Sequence, residues 1–248
     1  MGFFSDLNIL FHLVFKRGKG TNHKERLEDF YGGQANSYDD FRRRLLKGRE
    51  ELWQKLIPQE GQVWVDIGGG TGANIENISD ENLRKLKKVY IVDLSESLLK
   101  VADERIKVKG WTNVETVCAD ATTWVPPEGK ANIVTFSYSL TMIPDWFIAL
   151  DHADSILAED GMIGVVDFYL SRKYPADGHQ RHGWLTRSFW PVWFGCDNVF
   201  PTCDHVPYLH YKYQKTDFEE QKGRIPLFPL FWWKMPYYIF TGKKKEQK

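Results

Sequence analysis

The sequence predicts an α/β fold built on a mostly parallel sheet. Three observations carry that prediction. Five short apolar runs recur between helical patterns, as strands do when a sheet is buried on both faces. The first run ends in a turn, residues 68–72, with four glycines in five positions. Aspartates stand at or near the ends of the first three runs, at positions 66, 93 and 120, 27 residues apart both times.

The elements follow in order. Residues 23–57 read as helical, with apolar marks at Leu27, Phe30, Phe41, Leu45, Leu46, Leu52, Trp53 and Leu56, and Gly32-Gly33 divides the region into two helices. VWVDI (63–67) is a strand and 72–87 a helix. VYIVDL (89–94) is a strand. SESLLKVADERIKVKG is a helix that stops at Gly110. VETVCAD (114–120) and ANIVTFSYSL (131–140) are strands, a helix spans 145–158, and GMIGVVDF (161–168) is the fifth strand. Two late segments, KTDFEEQKGRI and PYYIFTGKKK, read as strands that complete the sheet as an antiparallel pair. Between them and the fifth strand lies an insertion of roughly 40 residues, and an apolar connection that long carries a function or helices of its own. From Trp184 to Phe240 there are 17 aromatics in 57 residues, twice the 15% of the whole chain.

Composition sets outer limits. At 248 residues the chain can bury one full core. Its 33 basic and 33 acidic residues cancel, which argues against bulk nucleic-acid binding. Three cysteines, Cys118, Cys196 and Cys203, make no disulfide framework and no CxxC zinc pair, so a reducing, cytoplasm-facing location is expected and no metal site. The start, MGFFSDLNILFHLVFKRGKG, is too short an apolar stretch to span a bilayer. Its charges follow the apolar part, unlike a signal peptide. Asp6 breaks the myristoylation pattern that Gly2 opens. It reads as an amphipathic interfacial segment over 1–22, with a helix packed on the domain as the alternative.

The glycine turn is ambiguous by itself. Gly68, Gly70 and Ala73 fit the dinucleotide pattern GxGxxG/A. Asp66, Gly68, Gly70 and Gly72 fit DxGxGxG, which looks like the first motif of class I S-adenosylmethionine (SAM) methyltransferases. Asp93, 21 residues after Gly72 and followed by Leu94, can accept both ribose hydroxyls under either reading. The third strand ends in CAD. In the methyltransferase pattern Asp120 accepts from the adenine amino group and the Ala121 N–H meets a ring nitrogen. SAM carries a sulfonium and an ammonium but no pyrophosphate, so a site with acids suits it better than helix-end donors alone. Three aspartates serving only as caps or turn formers are the ordinary alternative.

Further segments resemble one family. FYGGQANSYDDFRRRLLKGREEL, the glycine motif, FSYSLTMIPDW and RHGWLTRSFWPVWFGCDNVFPTCDHVPYL are similar to the SAM-dependent N-methyltransferase of betaine-lipid synthesis, over about residues 23–243. The resemblance implies a Rossmann-like class I methyltransferase sandwich. Its seven-stranded sheet is mostly parallel with an antiparallel final strand, behind a helical N-terminal segment and with the aromatic insertion after strand five. Residues 23–248 form one domain, with 170–210 the substrate-binding insertion. The implied reaction is threefold methylation of the amino group of diacylglyceryl-homoserine, giving the betaine lipid diacylglyceryl-trimethylhomoserine (DGTS) and S-adenosylhomocysteine. A homoserine-lipid-forming partner domain or protein is implied as well, and the tail GKKKEQK reads as a cut linker or a solvated end.

On that basis Asp66 and the glycine backbone hold the methionine end of SAM. Tyr31 and Tyr38 sit on an entry segment that closes over the cofactor, where packing of an amphipathic helix is the alternative. One of Arg42, Arg43, Arg44 and Arg49 meets a carboxylate of SAM or substrate, and the rest form a solvated face. Ser137, Tyr138 and Ser139 lie where donor and acceptor meet. Asp145, after Pro144, is either a substrate or proton-handling group or part of a helix cap, and Asp167 at the end of strand five is a similar candidate. His182 can take a proton near neutral pH. Trp184, Phe189, Trp190 and Trp193 offer faces to an acceptor that ends as a quaternary cation. The acyl chains call for peripheral membrane contact on the cytoplasmic side, at the endoplasmic reticulum in a eukaryote. The N-terminal segment and FPLFWWKMPYYIF are the expected contacts, with a strand and a core edge of the fold as the alternative. Methylation of phosphoethanolamine, phosphatidylethanolamine or another small amine remains open. So do an inactive SAM-binding protein and an NAD-linked reductase, the last opposed by Asp66, by the CAD end and by the lack of a YxxxK pair after a serine strand.

Overall fold

The computed structural model describes residues 45–195, 198–224 and 234–245, together with Glu25. The segment 1–22, the entry tyrosines Tyr31 and Tyr38, Arg42 to Arg44 and residues 225–233 lie outside these. So does the expected break at Gly32-Gly33.

Seven strands form one sheet in the order β3-β2-β1-β4-β5-β7-β6. They are β1 (Val63–Ile67), β2 (Lys88–Asp93), β3 (Val114–Cys118), β4 (Ala131–Ser137), β5 (Leu157–Phe168), β6 (Tyr213–Arg224) and β7 (Lys234–Lys244). The first five pair in parallel, and β7 runs antiparallel between β5 and β6. This is the predicted Rossmann-like arrangement, with an antiparallel final strand. The helices are α1 (Arg49–Lys55), α2 (Asp80–Lys85), α3 (Glu96–Lys109), α4 (Trp146–Ile156), α5 (Trp184–Gly195) and α6 (His205–Lys212).

Period-two alternation divides the core into two layers. Trp64, Val89, Ile91, Ile133 and Val166 face one side, with Leu52 and Trp53 of α1, Leu83 of α2, Leu99 of α3 and Trp190 of α5. Val65, Tyr90, Val92, Val134 and Val165 face the other, against Ala149, Leu150 and Ala153 of α4 and Leu209 of α6. Trp53 stacks on Trp64 at 4.5 Å and 6°, which docks α1 onto the first strand.

Several boundaries differ from the sequence reading; β3, for one, stops at Cys118 and leaves Asp120 beyond it. The helix expected over 72–87 is two pieces, a 3₁₀ turn at Ala73–Asn77 and then α2. Ile78 and Ser79 are extended between them, and the Ser79 hydroxyl accepts from Asn82 N to start a new helix. The fourth strand stops at Ser137 rather than 140, because Tyr138 takes a positive φ of 56°. The fifth begins at Leu157 and absorbs the expected Glu159-Asp160-Gly161 turn. Among the described residues no helix is long and apolar enough to cross a membrane.

Candidate active site

The strand order reverses between β1 and β4. In open α/β sheets, ligands bind beyond the carboxyl ends of the strands at such a reversal. Here the chain places Gly68–Gly72, Asp93 and Ser137 at the ends of β1, β2 and β4.

The glycine turn is tight and tied to its neighbours. Gly68 N and Gly69 N both donate to Val92 O, at 2.7 and 3.3 Å, and Gly72 N donates to Gly69 O at 3.0 Å. Gly68, Gly70 and Gly72 take φ values of 69°, 54° and 69°. A Cβ on Gly68 would stand 2.4 Å from Ser139 Cβ. The turn therefore demands glycine both for its left-handed backbone and for the close approach of the loop after β4. Asp93 then closes the second side. Its Oδ2 accepts from Gly70 N at 2.9 Å and its Oδ1 from Ser95 N at 2.9 Å. One carboxylate thus joins the turn to the N-cap of α3, while its backbone O accepts from Ala119 N at 3.1 Å, holding the segment after β3. Leu94 beside it is half-buried.

Asp66 is fully buried. Its Oδ1 accepts from the Thr135 hydroxyl at 2.8 Å and its Oδ2 from Asn74 Nδ2 at 3.0 Å. Burial pushes its pKa up to about 6, against the lowering effect of those two bonds. The chain of contacts runs on: Arg49 Nη1 of α1 donates to Asn74 Oδ1 at 3.0 Å, and Trp64 Nε1 donates to Thr135 Oγ1 at 3.0 Å. Asp66 therefore braces the base of the turn and links it to α1. Asn74, Thr135 and the specific part of Arg49 were not legible from the motif. A polar residue in a buried strand was the available signal for Thr135, since such a group needs a partner. A cavity of about 510 Å³ opens beside this relay, between Leu46–Glu51 and the 3₁₀ turn, where Ala73, Glu76 and Asn77 line it.

Beyond β4, Ser137 is buried and its Oγ has no hydrogen-bond partner among the described residues. Buried hydroxyls are rarely left so, and this one stands at the strand end where a ligand would meet it. Ser139 Oγ donates to Ile67 O at 2.8 Å. Tyr138 turns away from the sheet line: its hydroxyl donates to Lys47 O at 2.6 Å and its ring meets Phe168 edge-on at 4.6 Å. That bond ties the loop after β4 to the chain just ahead of α1.

The other candidates are more scattered. Asp120 is exposed two residues past β3, and its Oδ1 accepts the N–H and hydroxyl of Thr122 at 2.8 and 2.7 Å, with Ala121 half-buried beside it. Asp145 is exposed at the N-cap of α4 and makes no side-chain cap bond. Asp167 is fully buried, accepting from the Thr141 hydroxyl and N–H at 2.7 and 3.1 Å and from Phe168 N at 2.7 Å. Burial raises its pKa to about 7 in spite of those bonds. His182 is buried in a reciprocal pair beyond β5: its ring Nδ1 accepts from Ser171 N at 2.9 Å and its backbone N–H donates to Ser171 Oγ at 2.7 Å. Burial, then the charges of Lys222 and Arg187, lowers its pKa to about 4. Its ring edge rests on Tyr169, whose hydroxyl reaches Glu220 of β6, so its contacts lead toward β6 and away from the glycine turn. Of the insertion aromatics, Trp190 is buried, while Trp184 is 70% exposed.

Comparison with known proteins gives this geometry a context. Residues 20–176 match the model of the ubiE/COQ5 methyltransferase family. The demethylmenaquinone methyltransferase of Geobacillus kaustophilus is 30% identical over 155 residues, 61% of this chain and 59% of that protein. The ubiquinone/menaquinone biosynthesis C-methyltransferase of Pseudomonas fluorescens is 28% identical over 170 residues, 66% of each. The chain thus spans less than two thirds of the first of these. Among solved structures, phosphoethanolamine N-methyltransferase 2 of Haemonchus contortus, in complex with phosphomonomethylethanolamine and S-adenosylhomocysteine, superposes with a TM-score of 0.68 at 14% identity, covering 92% of this chain and 61% of that one. A putative methyltransferase of Bacillus halodurans gives 0.63 at 15% identity, covering 80% and 99%.

Proposed function

The chain belongs to the ubiE/COQ5 methyltransferase family, and from that premise we propose that it is a SAM-dependent N-methyltransferase acting on the amino group of a diacylglyceryl-homoserine lipid. The product is then the trimethylated betaine lipid DGTS. The observation that carries methyl transfer is the cradle at the strand reversal: the glycine turn, where a Cβ on Gly68 would collide with Ser139, Asp93 bonded to it, and the Ser137 hydroxyl beside it with no partner among the described residues. These groups fit SAM. The turn lets the backbone approach the amino-acid part closely, Asp93 offers acceptor capacity to the ribose, Asp120 and Ala121 flank the adenine end, and Ser137 faces the reacting end.

SAM supplies an electrophilic methyl on a sulfonium. What the chain must supply is alignment, exclusion of water, and removal of a proton from an incoming ammonium. Tyr138, Phe168, Trp190 and Phe194 form a continuous apolar wall at the ends of β4 and β5, with ring centroids 4.6 to 5.7 Å apart along it. All four rings are buried, so the wall backs the strand ends against water. His182, with Nδ1 occupied and a pKa near 4, is a poor base at neutral pH. The Asp167 oxygens are held by Thr141 and Phe168. Positioning, rather than one dedicated base among these groups, therefore carries the rate. The N-methyl reading of the acceptor is supported by the aromatic insertion and by the segments resembling the betaine-lipid enzymes.

A second reading, C-methylation of a quinol ring, is favoured by the names of the curated relatives. One assay separates the two. Purified protein and labelled SAM are mixed with diacylglyceryl-homoserine in micelles, with phosphatidylethanolamine and demethylmenaquinol in parallel, and the products are weighed by mass spectrometry. Mono-, di- and trimethylated homoserine lipid is the expected result. Label only in the quinol would replace the acceptor assignment, and label only in phosphatidylethanolamine would move it to another amine.

A further inference from the structure

A surface helix ordinarily turns charged or polar residues outward. Helix α5 does not. Its inner residues Trp190 and Phe194 are buried, Phe194 lying 4.9 Å from Phe168 at the end of β5. Its outward stripe is Trp184, Leu185, Ser188 and Val192, which the helical period stacks on one side. Trp184 is 70%, Leu185 62% and Val192 75% exposed, and no member of the stripe carries a charge.

The approach to α5 is cationic. Residues 171–195 hold Arg172, Lys173, Arg181 and Arg187 against one carboxylate, Asp177. Arg172 is paired with Asp204 at 2.8 Å. Lys173 and Arg181 instead both rest against the ring of Tyr174, at 5.4 and 5.6 Å, and that ring is itself 73% exposed. A Trp, two aliphatics and a Tyr flanked by cations, all outward, match the anatomy of an interfacial helix: apolar groups at the headgroup–acyl boundary and basic groups among anionic headgroups.

We propose that the outward face of α5, with the Lys173–Tyr174–Arg181 cluster, seats the protein on an anionic bilayer. This deepens the lipid-acceptor reading and draws its motive from it. The inner face of the same helix packs on Phe168, which meets Tyr138 next to Ser137, so α5 and these two rings are what stands between the bilayer and the end of β4.

The test uses the full chain and vesicles that contain no acceptor lipid: phosphatidylcholine with roughly 30% phosphatidylglycerol, enough to set an anionic surface. The parent should float with these vesicles, less so in high salt. The double substitution Leu185→Glu with Val192→Glu should reduce partitioning about tenfold or more, with SAM affinity by calorimetry unchanged. Brominated acyl chains should quench parent fluorescence, and Trp184→Phe should remove a clear share of that quenching. This milder variant decides the matter if the double substitution also loses SAM. A parent that does not float, a double variant that floats like the parent, or quenching unchanged by Trp184→Phe each overturns the proposal. A parent dimer that the double substitution splits, with flotation unaltered, assigns the stripe to a second copy and overturns it as well. Turnover is not read, so a failed acceptor assay leaves this result standing, and the reverse holds.

Discussion

The Gly70 N–H donates to Asp93 Oδ2 at 2.9 Å, which couples the turn after β1 to the end of β2 through one carboxylate. The same carboxylate holds the start of α3 through Ser95 N. Substitution at this position therefore loosens the cradle and removes the proposed ribose acceptor together. Asp93→Ala should weaken SAM binding by roughly 10- to 100-fold, the range for losing a charge-assisted hydrogen bond or two. Isothermal calorimetry measures it, and unchanged affinity would remove the cofactor assignment to Asp93.

Gly68 and Gly61 offer a matched comparison. Both have positive φ, 69° and 77°, but a Cβ on Gly68 meets Ser139 at 2.4 Å and one on Gly61 meets nothing within 4 Å. Gly61→Ala should cost only backbone strain, about 1 kcal/mol, whereas Gly68→Ala adds a clash and should cost several times that. SAM binding should persist in the first and vanish in the second. Equal denaturation midpoints for the two would show that the approach of Ser139 does not constrain the turn.

The Ser137 hydroxyl has no hydrogen-bond partner among the described residues. Ser137→Ala should leave the melting temperature unchanged or slightly raised, because an unsatisfied buried hydroxyl is removed. The KM for SAM should rise about five- to tenfold if the hydroxyl serves the cofactor. A fall in stability without a change in KM would assign Ser137 to packing instead.

The relay from Arg49 through Asn74 to Asp66 predicts a stability cost at a distance. Asn74→Ala leaves Asp66 Oδ2 without its donor in a buried site and should cost about 1–3 kcal/mol. Arg49→Ala should cost less, since Asp66 keeps both of its hydrogen-bond donors, Asn74 and Thr135. A double-mutant cycle by denaturant unfolding should show coupling between them, and simple additivity would break the relay.

Burial also sets a pH dependence. Asp167 has its pKa raised from 3.8 to about 7, so the folded state binds its proton more tightly than the unfolded chain. Its contribution is full below the unfolded value and is lost as pH rises through about 7. His182 and His205, lowered by burial to about 4 and about 3, act in the opposite sense: their contribution is full above 6.5 and lost as pH falls through those values. The aspartate is isolated by comparing Asp167→Asn with the parent at about pH 5 and about pH 8. The loss of stability between the two should be smaller in the variant. Equal losses would place the Asp167 pKa at its ordinary value.

The local logic of the fold was written along the chain. Apolar runs of strand length and Gly110 ending α3 depend on neighbours a few residues away, so they could be read in order. So could the placement of Asp93, because motif spacing reflects one strand-turn-helix unit. The glycines of 68–72 stood out as a motif, but the approach of Ser139 that demands one at Gly68 did not. The helix expected over 72–87 failed because Ser79 offered a competing cap within it. Tyr138 ended its strand early through a backbone angle that side-chain pattern does not encode. Period-two alternation says which face a residue takes but not what waits there. Pairing of Asp66 with Thr135 and Asn74, and of Tyr138 with Lys47, required the strand order and register that only the folded sheet supplies. Likewise, composition marked the insertion as aromatic. Only packing decided that Trp190 and Phe194 face Phe168 while Trp184, Leu185 and Val192 face outward, because a helix divides its residues by what it rests upon.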